Sequence, residues 1–149
     1  MKTFQEIFDT VLFGLRAQGV ASVSVKVVKV YEDGDEDGDE SVTCMYRGDS
    51  GTKCAAGMLL PDEAYRPEME DVAATSAQDS VNRFQQGKLA VWPVLLAAGV
   101  PPTAASLVQC MQSAHDGSMP YTKGDSMQAW EARMRRIALQ FNLHYTEPK

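Results

Sequence analysis

The chain has 149 residues, 44% of them hydrophobic and 23% charged, which is typical of one globular domain and excludes wholesale disorder. No run of 18 apolar residues occurs, so we expect no transmembrane helix and no contact with a membrane. Glu6 and Asp9 interrupt the apolar pattern of the N-terminal segment, which predicts a helix rather than a signal peptide. Three cysteines without a secretion signal indicate free thiols in a cytoplasmic protein.

The net charge of −6 comes from one short stretch. Seven of the 20 acidic residues lie in Glu32–Glu40, which contains no Lys or Arg. The remaining 13 acids and 14 basic residues leave a net charge of +1. A broad basic face for nucleic acid is therefore not expected, and the acids are too localised for surface-wide mimicry of DNA.

Three strands are predicted after the first helix. Apolar residues alternate from Ala21 to Tyr31, strand-like character resumes over Ser41–Arg47, and a turn at Gly48–Gly51 leads to a third strand, Thr52–Ala55. We therefore predict a three-stranded antiparallel meander, with an acidic hairpin loop at about 32–40 between its first two strands.

Helical spacing marks most of the remaining chain. Thr3 and Glu6 form a capping box for the first helix, and Gly19 is its expected stop. The other predicted helices are Ser76–Gln86, a short helix at Pro93, Thr103–His115, and a final helix capped by Asp125 or Ser126. The fold class is thus α+β in a single domain, residues 1–149: a helix, a small meander and several helices.

The acidic stretch has three interpretations. Asp33, Asp35, Asp37 and Gly38 match the opening of a calcium-binding EF-hand loop, but Cys44 stands where the closing Glu is required. The stretch is otherwise a solvated hairpin tip, or a contact surface for a partner with a basic patch. The candidate partner-binding residues are Glu32, Asp33, Asp35, Glu36, Asp37, Asp39 and Glu40.

Cysteine and histidine supply the candidate chemistry. Cys44 and Cys54 lie five residues either side of Asp49, so a hairpin centred there would place them face to face. They would suit zinc only with two more ligands, and buried apolar thiols are the simpler interpretation. His115 precedes Asp116, but consecutive helical residues do not face each other. We expect no catalytic residues, metal or cofactor.

The segment from Cys44 to Glu70 is the most distinctive. It reads CMYRG from Cys44, KCAAGMLLPDE from Lys53 and YRPEME from Tyr65. It resembles small proteins of tailed phages and prophages that carry a C-x-Y-R-G turn followed by C-A-x-G-x-L-x-P-D-E-x-Y-x-P-E-M-E-G. Those proteins also open with a helix of the TFQEIFD type. Asp71 departs from the final Gly of the run, and the acidic loop looks like an insertion.

That resemblance implies a phage accessory protein acting in the cytoplasm of the infected host. Such proteins bind a host, phage or defence-system protein, so we expect a non-enzymatic binding protein. The alternative is a ligand- or metal-binding protein, or an enzyme, that uses the Cys44/Cys54 turn and the adjacent PDE segment. The candidate ligand or motif residues are Cys44, Tyr46, Arg47, Cys54, Asp62, Glu63, Tyr65 and His115. Leu59 and Leu60 should reach the core.

Overall fold

The computed structural model describes residues 1–30, 37–70, 74 and 90–149, and only the backbone of residues 25–30 and 37–43. This part of the chain is mostly helical. The helices are α1 (Phe4–Gln18), α2 (Ala55–Leu59), α3 (Trp92–Ala97), α4 (Ala105–Ser118) and α5 (Gln128–Gln140), and the strands are β1 (Val23–Val30) and β2 (Asp37–Cys44). Short 3-10 turns span Asp49–Gly51, Asp62–Ala64, Pro67–Met69 and Pro102–Ala104.

The predicted α+β fold with a three-stranded meander is wrong. In the described chain, β1 and β2 pair only with each other, as an antiparallel hairpin. The predicted third strand, Thr52–Ala55, is replaced by a single bridge between Arg47 and Lys53. The chain then enters α2, because the Cys54 thiol accepts the Gly57 N–H at 3.3 Å and so caps a helix. The alanines that follow favour a helix over a strand.

Part of the predicted acidic loop belongs to β2. β2 begins at Asp37, so the last four residues of the predicted loop belong to the ladder, where Asp37 pairs with Val30 and Glu40 with Val27. The β-branched residues of β1 favour this extension of the strand. Glu32, Asp33, Asp35 and Glu36 lie outside the described residues, as does the predicted helix Ser76–Gln86.

The capping of α1 is confirmed. Thr3 Oγ1 accepts the Glu6 N–H at 3.1 Å, and the Glu6 carboxylate accepts the Thr3 N–H at 2.7 Å. Gly19 ends the helix at a φ of 71°, and its N–H bonds to the Leu15 carbonyl. These local bonds fix the length of α1, and its buried face enters the core.

The later helices follow the predicted order with shifted ends. α3 carries Pro93 in its first turn, where a missing N–H costs nothing. α4 runs three residues beyond its predicted end at His115. α5 starts after Ser126, whose hydroxyl accepts the Gln128 N–H at 3.3 Å. Among the described residues, no helix is both long and apolar enough to cross a membrane.

The core lies between α1, α2, α4 and α5. Trp130 is fully buried and Trp92 nearly so, and the predicted burial of Leu59 and Leu60 is confirmed. The other large, fully buried side chains include Ile7, Phe8, Leu12, Leu15, Leu95, Leu107, Met111, Met134 and His115. The chain segment that joins the hairpin to α2 therefore rests on a packed helical body.

Candidate functional site at the root of the hairpin

A buried carboxylate fixes the chain where it leaves β2. Glu70 is 7% exposed, and its side chain accepts the N–H groups of Tyr46 at 3.0 Å and Arg47 at 3.1 Å. The Tyr65 hydroxyl donates to the same carboxylate at 2.8 Å. A buried carboxylate is stable only when such donors replace its hydration. Glu70 therefore joins the end of the hairpin to the segment after α2.

The Arg47 guanidinium closes the C-terminal end of α2. It donates to the carbonyls of Gly57 and Leu60, both at 2.8 Å, and to the Asp62 carboxylate at 2.8 Å. The guanidinium carbon also lies 5.2 Å from the centre of the Tyr65 ring. A cation at this end of a helix satisfies carbonyls that have no intrahelical donor. Arg47 is thus used within the protein rather than presented to a ligand.

The titration behaviour of this network is consistent with an internal role. Burial and the neighbouring Glu70 carboxylate raise the pKa of Tyr65 to about 12, so its hydroxyl remains a donor. Lys53 and Arg47 hold the pKa of Asp62 below its usual value. Asp62 is an exposed carboxylate, so this ion pair adds little to stability. Neither group has the pKa near neutrality that general acid–base catalysis favours.

Gly57 permits the closest approach in this region. A Cβ atom built on it would lie 2.4 Å from the Tyr46 carbonyl oxygen, which is a backbone atom. Only a residue without a side chain allows α2 to pack this closely against the chain leaving β2. The glycine of the motif therefore has a packing role.

A second group of polar side chains holds the start of the hairpin. His115 is fully buried on α4, and its Nε2 accepts the Ser22 N–H at 3.0 Å. Since Nε2 accepts, the ring proton lies on Nδ1, 2.9 Å from Asp116 Oδ1. The expectation that these consecutive residues would not meet is wrong, because the short Asp116 side chain reaches the ring edge. The Ser22 carbonyl in turn accepts the Met45 N–H at 2.9 Å.

Asp116 connects this group to α2. Gln112 donates to Asp116 at 2.8 Å and accepts the Ala56 N–H at 3.0 Å. Burial and the nearby Asp116 carboxylate raise the pKa of the Cys44 thiol to about 11. Burial raises the pKa of Cys54 to about 12. Both thiols are therefore protonated at neutral pH, which makes them weak nucleophiles and weak metal ligands.

The two cysteines do not form the predicted facing pair. Cys44 pairs with Val23 in the hairpin, and the Arg47–Lys53 bridge centres the following turn on Ser50 rather than Asp49. Cys54 caps α2 instead of lying in a strand. Within the described residues, no group of three His, Cys, Asp or Glu is placed to hold a metal ion.

The structure thus sorts six of the eight predicted motif residues into two clusters. Tyr46, Arg47, Asp62 and Tyr65 meet around Glu70, while Cys44 and His115 meet around Asp116. The Glu63 side chain is exposed and belongs to neither cluster. No distinct role was predicted for Glu70 and Gln112, because the backbone N–H groups of Tyr46 and Ala56 that they bind lie 24 and 56 residues away in sequence.

No protein-family model, curated protein or solved structure matches this chain. The resemblance to phage and prophage proteins therefore stays a prediction.

Proposed function

We propose that this protein is a non-enzymatic binding protein that presents an acidic hairpin to a partner protein. The single observation that carries this proposal is the anchoring of both ends of the hairpin by buried side chains: His115 binds Ser22 before β1, and Glu70 binds Tyr46 and Arg47 after β2.

The hairpin separates its root from its acidic end. The ladder runs from the Val23–Cys44 pair to the Val30–Asp37 pair. Seven steps of a strand place the two ends about 23 Å apart. The root contacts the helical body, whereas Asp37, Asp39 and Glu40 lie in the half of the ladder farther from it. This arrangement is consistent with a hairpin whose root is held rigidly and whose charged end is free to contact a partner.

Charge supports a basic partner surface. Seven carboxylates between Glu32 and Glu40 are set on a chain whose other charges sum to +1. A concentrated negative potential of this kind attracts a basic patch and accelerates encounter. From the resemblance to phage proteins, we expect this partner to be a host, phage or defence-system protein in the host cytoplasm. Nucleic acid is not the expected partner of the hairpin, because the carboxylates of the hairpin would repel phosphates.

The chemistry of the motif argues against the enzymatic alternative. The polar groups of Arg47, Tyr65 and Glu70 bond to one another, to backbone or to Asp62. His115 uses Nε2 to hold Ser22, so it cannot take a proton there without breaking that bond. Elemental analysis after dialysis separates the two classes: we expect no stoichiometric metal, and one zinc per chain would favour the metal-binding alternative.

The proposal is tested by affinity capture with a charge-neutralised hairpin. The seven acids become Asn or Gln of the same shape, which removes charge and leaves the backbone pattern intact. Tagged wild-type protein and this variant are incubated with lysate of infected host cells, and retained proteins are identified by mass spectrometry. We expect a protein with a basic surface that wild type retains and the variant does not.

A matched control neutralises exposed acids outside the hairpin, Glu63→Gln and Glu68→Gln. This control should retain the same partner as wild type. Equal retention of that partner by the hairpin variant would overturn the proposal, provided that circular dichroism shows the variant to be folded.

A further inference from the structure

A groove of about 470 Å³ lies between α4 and α5. Two arginines of α5, Arg133 and Arg136, line it together with the polar residues Ser106, Ser113, Gln109 and Gln140. No Asp or Glu is among the residues that line it. The groove is thus a positively charged, hydrogen-bonding concavity on a chain of net charge −6.

Neither arginine of the groove pairs with a carboxylate within the described part of the chain. Arg133 Nη1 instead donates to the Ser118 hydroxyl at 2.9 Å. Gly117 allows this position, since a Cβ there would lie 2.6 Å from the same nitrogen. Arg133 is therefore held in place by neutral groups that leave its positive charge uncompensated.

The other arginines near α5 are compensated. Arg16 forms a two-bond pair with Glu131, at 2.7 and 2.9 Å. Arg135, the neighbour of Arg136, binds Glu147 at 2.8 Å. Carboxylates thus neutralise the arginines on one side of α5, whereas no carboxylate of the described residues pairs with the two arginines of the groove.

The spacing of the groove arginines favours an anionic ligand. Arg133 and Arg136 are three residues apart on one helix, so they are surface neighbours and repel each other. An anion with several oxygens relieves this repulsion, and the planar fork of Arg matches a phosphate better than any other side chain does. The volume lies in the range of small-molecule sites.

We propose that the groove between α4 and α5 binds the phosphate group of a small phosphorylated molecule through Arg133 and Arg136. Ser106 and Ser113 supply hydroxyl donors, and the two glutamines contact the uncharged part of the molecule. The site uses no hairpin residue, so it goes beyond the proposed function and does not depend on it.

Isothermal titration calorimetry tests this site with two probes, inorganic phosphate and adenosine monophosphate, against sodium chloride at equal ionic strength. We expect saturable binding of phosphate-bearing probes and none of chloride. Tighter binding of the nucleotide would identify a phosphorylated molecule as the source of the phosphate, and equal binding would identify free phosphate. The variant Arg136→Gln should bind about tenfold more weakly, as expected for loss of one charged donor.

Arg135→Gln is the matched control, because it removes the same charge from the same helix outside the groove. It should bind the probes as wild type does. A second readout is the rate of alkylation of Cys110, a partly exposed thiol that lines the groove. The probes should slow this alkylation in wild type and not in Arg136→Gln. No saturable binding by wild type at millimolar probe, or equal weakening by both variants, would overturn the proposal.

Discussion

His115 of α4 holds the residue that precedes β1: its Nε2 lies 3.0 Å from the Ser22 nitrogen, although 93 residues separate the two in sequence. The bond is buried, and it fixes the start of the hairpin to the helical body. The end of the hairpin is fixed independently, by Glu70. Together these two side chains define where the acidic segment is held.

Replacing His115 with Leu should destabilise the protein by about 2 kcal/mol. The Ser22 N–H would lose its acceptor in a site that water does not reach, and an unsatisfied buried donor costs about 1–3 kcal/mol. Urea unfolding followed by circular dichroism measures this change. His144→Leu is the control, since the His144 side chain is exposed, and it should change stability by less than about 0.5 kcal/mol. Equal stability of the two variants would refute the anchoring role.

Replacing Glu70 with Gln should cost about 2–3 kcal/mol. The carboxylate accepts N–H groups on both oxygens, whereas an amide nitrogen would turn a donor toward one of them. Tyr65→Phe removes a single hydroxyl bond to this carboxylate and should cost about 1 kcal/mol. Thermal or urea unfolding gives both values.

The control for Glu70 is Glu68→Gln, an exposed residue of the same 3-10 turn region. It should have the stability of wild type. If Glu68→Gln were as destabilising as Glu70→Gln, the loss would come from charge in this segment and not from the buried network.

Gly57→Ala should cost about 3 kcal/mol, because the new methyl group would lie 2.4 Å from the backbone carbonyl oxygen of Tyr46. Gly51→Ala is the comparison. Gly51 has a φ of 74° and open space around it, so alanine there costs only the backbone strain, about 1 kcal/mol. Equilibrium unfolding of both variants separates contact from strain. A larger loss for Gly51→Ala would contradict the close packing of α2.

Some of these features follow from the sequence and some do not. Thr3, Glu6 and Gly19 predicted both ends of α1, because caps act over three or four residues. The prediction of a third strand was wrong because the Cys54 thiol caps a helix, and the extended chain ends there. Short segments with alternating small residues do not distinguish these outcomes.

The site shows the same division. The motif from Cys44 to Glu70 is recognisable in sequence, but the partners of its polar groups depend on tertiary packing. Arg47 donates to carbonyls at the end of α2, and Asp116 contacts Gln112 and His115 of its own helix and Cys44 at the end of β2. The sequence motif therefore identified residues that matter, but we assigned them to ligand binding. In the structure, most of them bind other groups of the protein.

Stability should decrease in alkali through Cys54. Burial raises the pKa of its thiol from 9.0 to about 12, so between these values the folded state holds a proton that the unfolded state has lost. The free energy of unfolding therefore falls as pH rises above about 9, by at most about 1.4 kcal/mol per pH unit. Below pH 9 this contribution is constant.

Cys54→Ser tests this linkage, because its hydroxyl does not titrate in this range and still accepts the Gly57 N–H. Urea unfolding between pH 8 and about pH 10.5 should show a shallower loss of stability for the variant than for wild type. The same slope for both proteins would show that Cys54 does not contribute.

Recognition of a basic partner by the acidic hairpin is measured by the dissociation constant of the captured partner as a function of salt. Wild type should bind most tightly at low ionic strength, and the variant with Glu32–Glu40 neutralised should bind more weakly there. The two affinities should converge at high salt, where charges are screened. Equal affinities of the folded variant and wild type at low salt would show that the hairpin carboxylates do not recognise the partner.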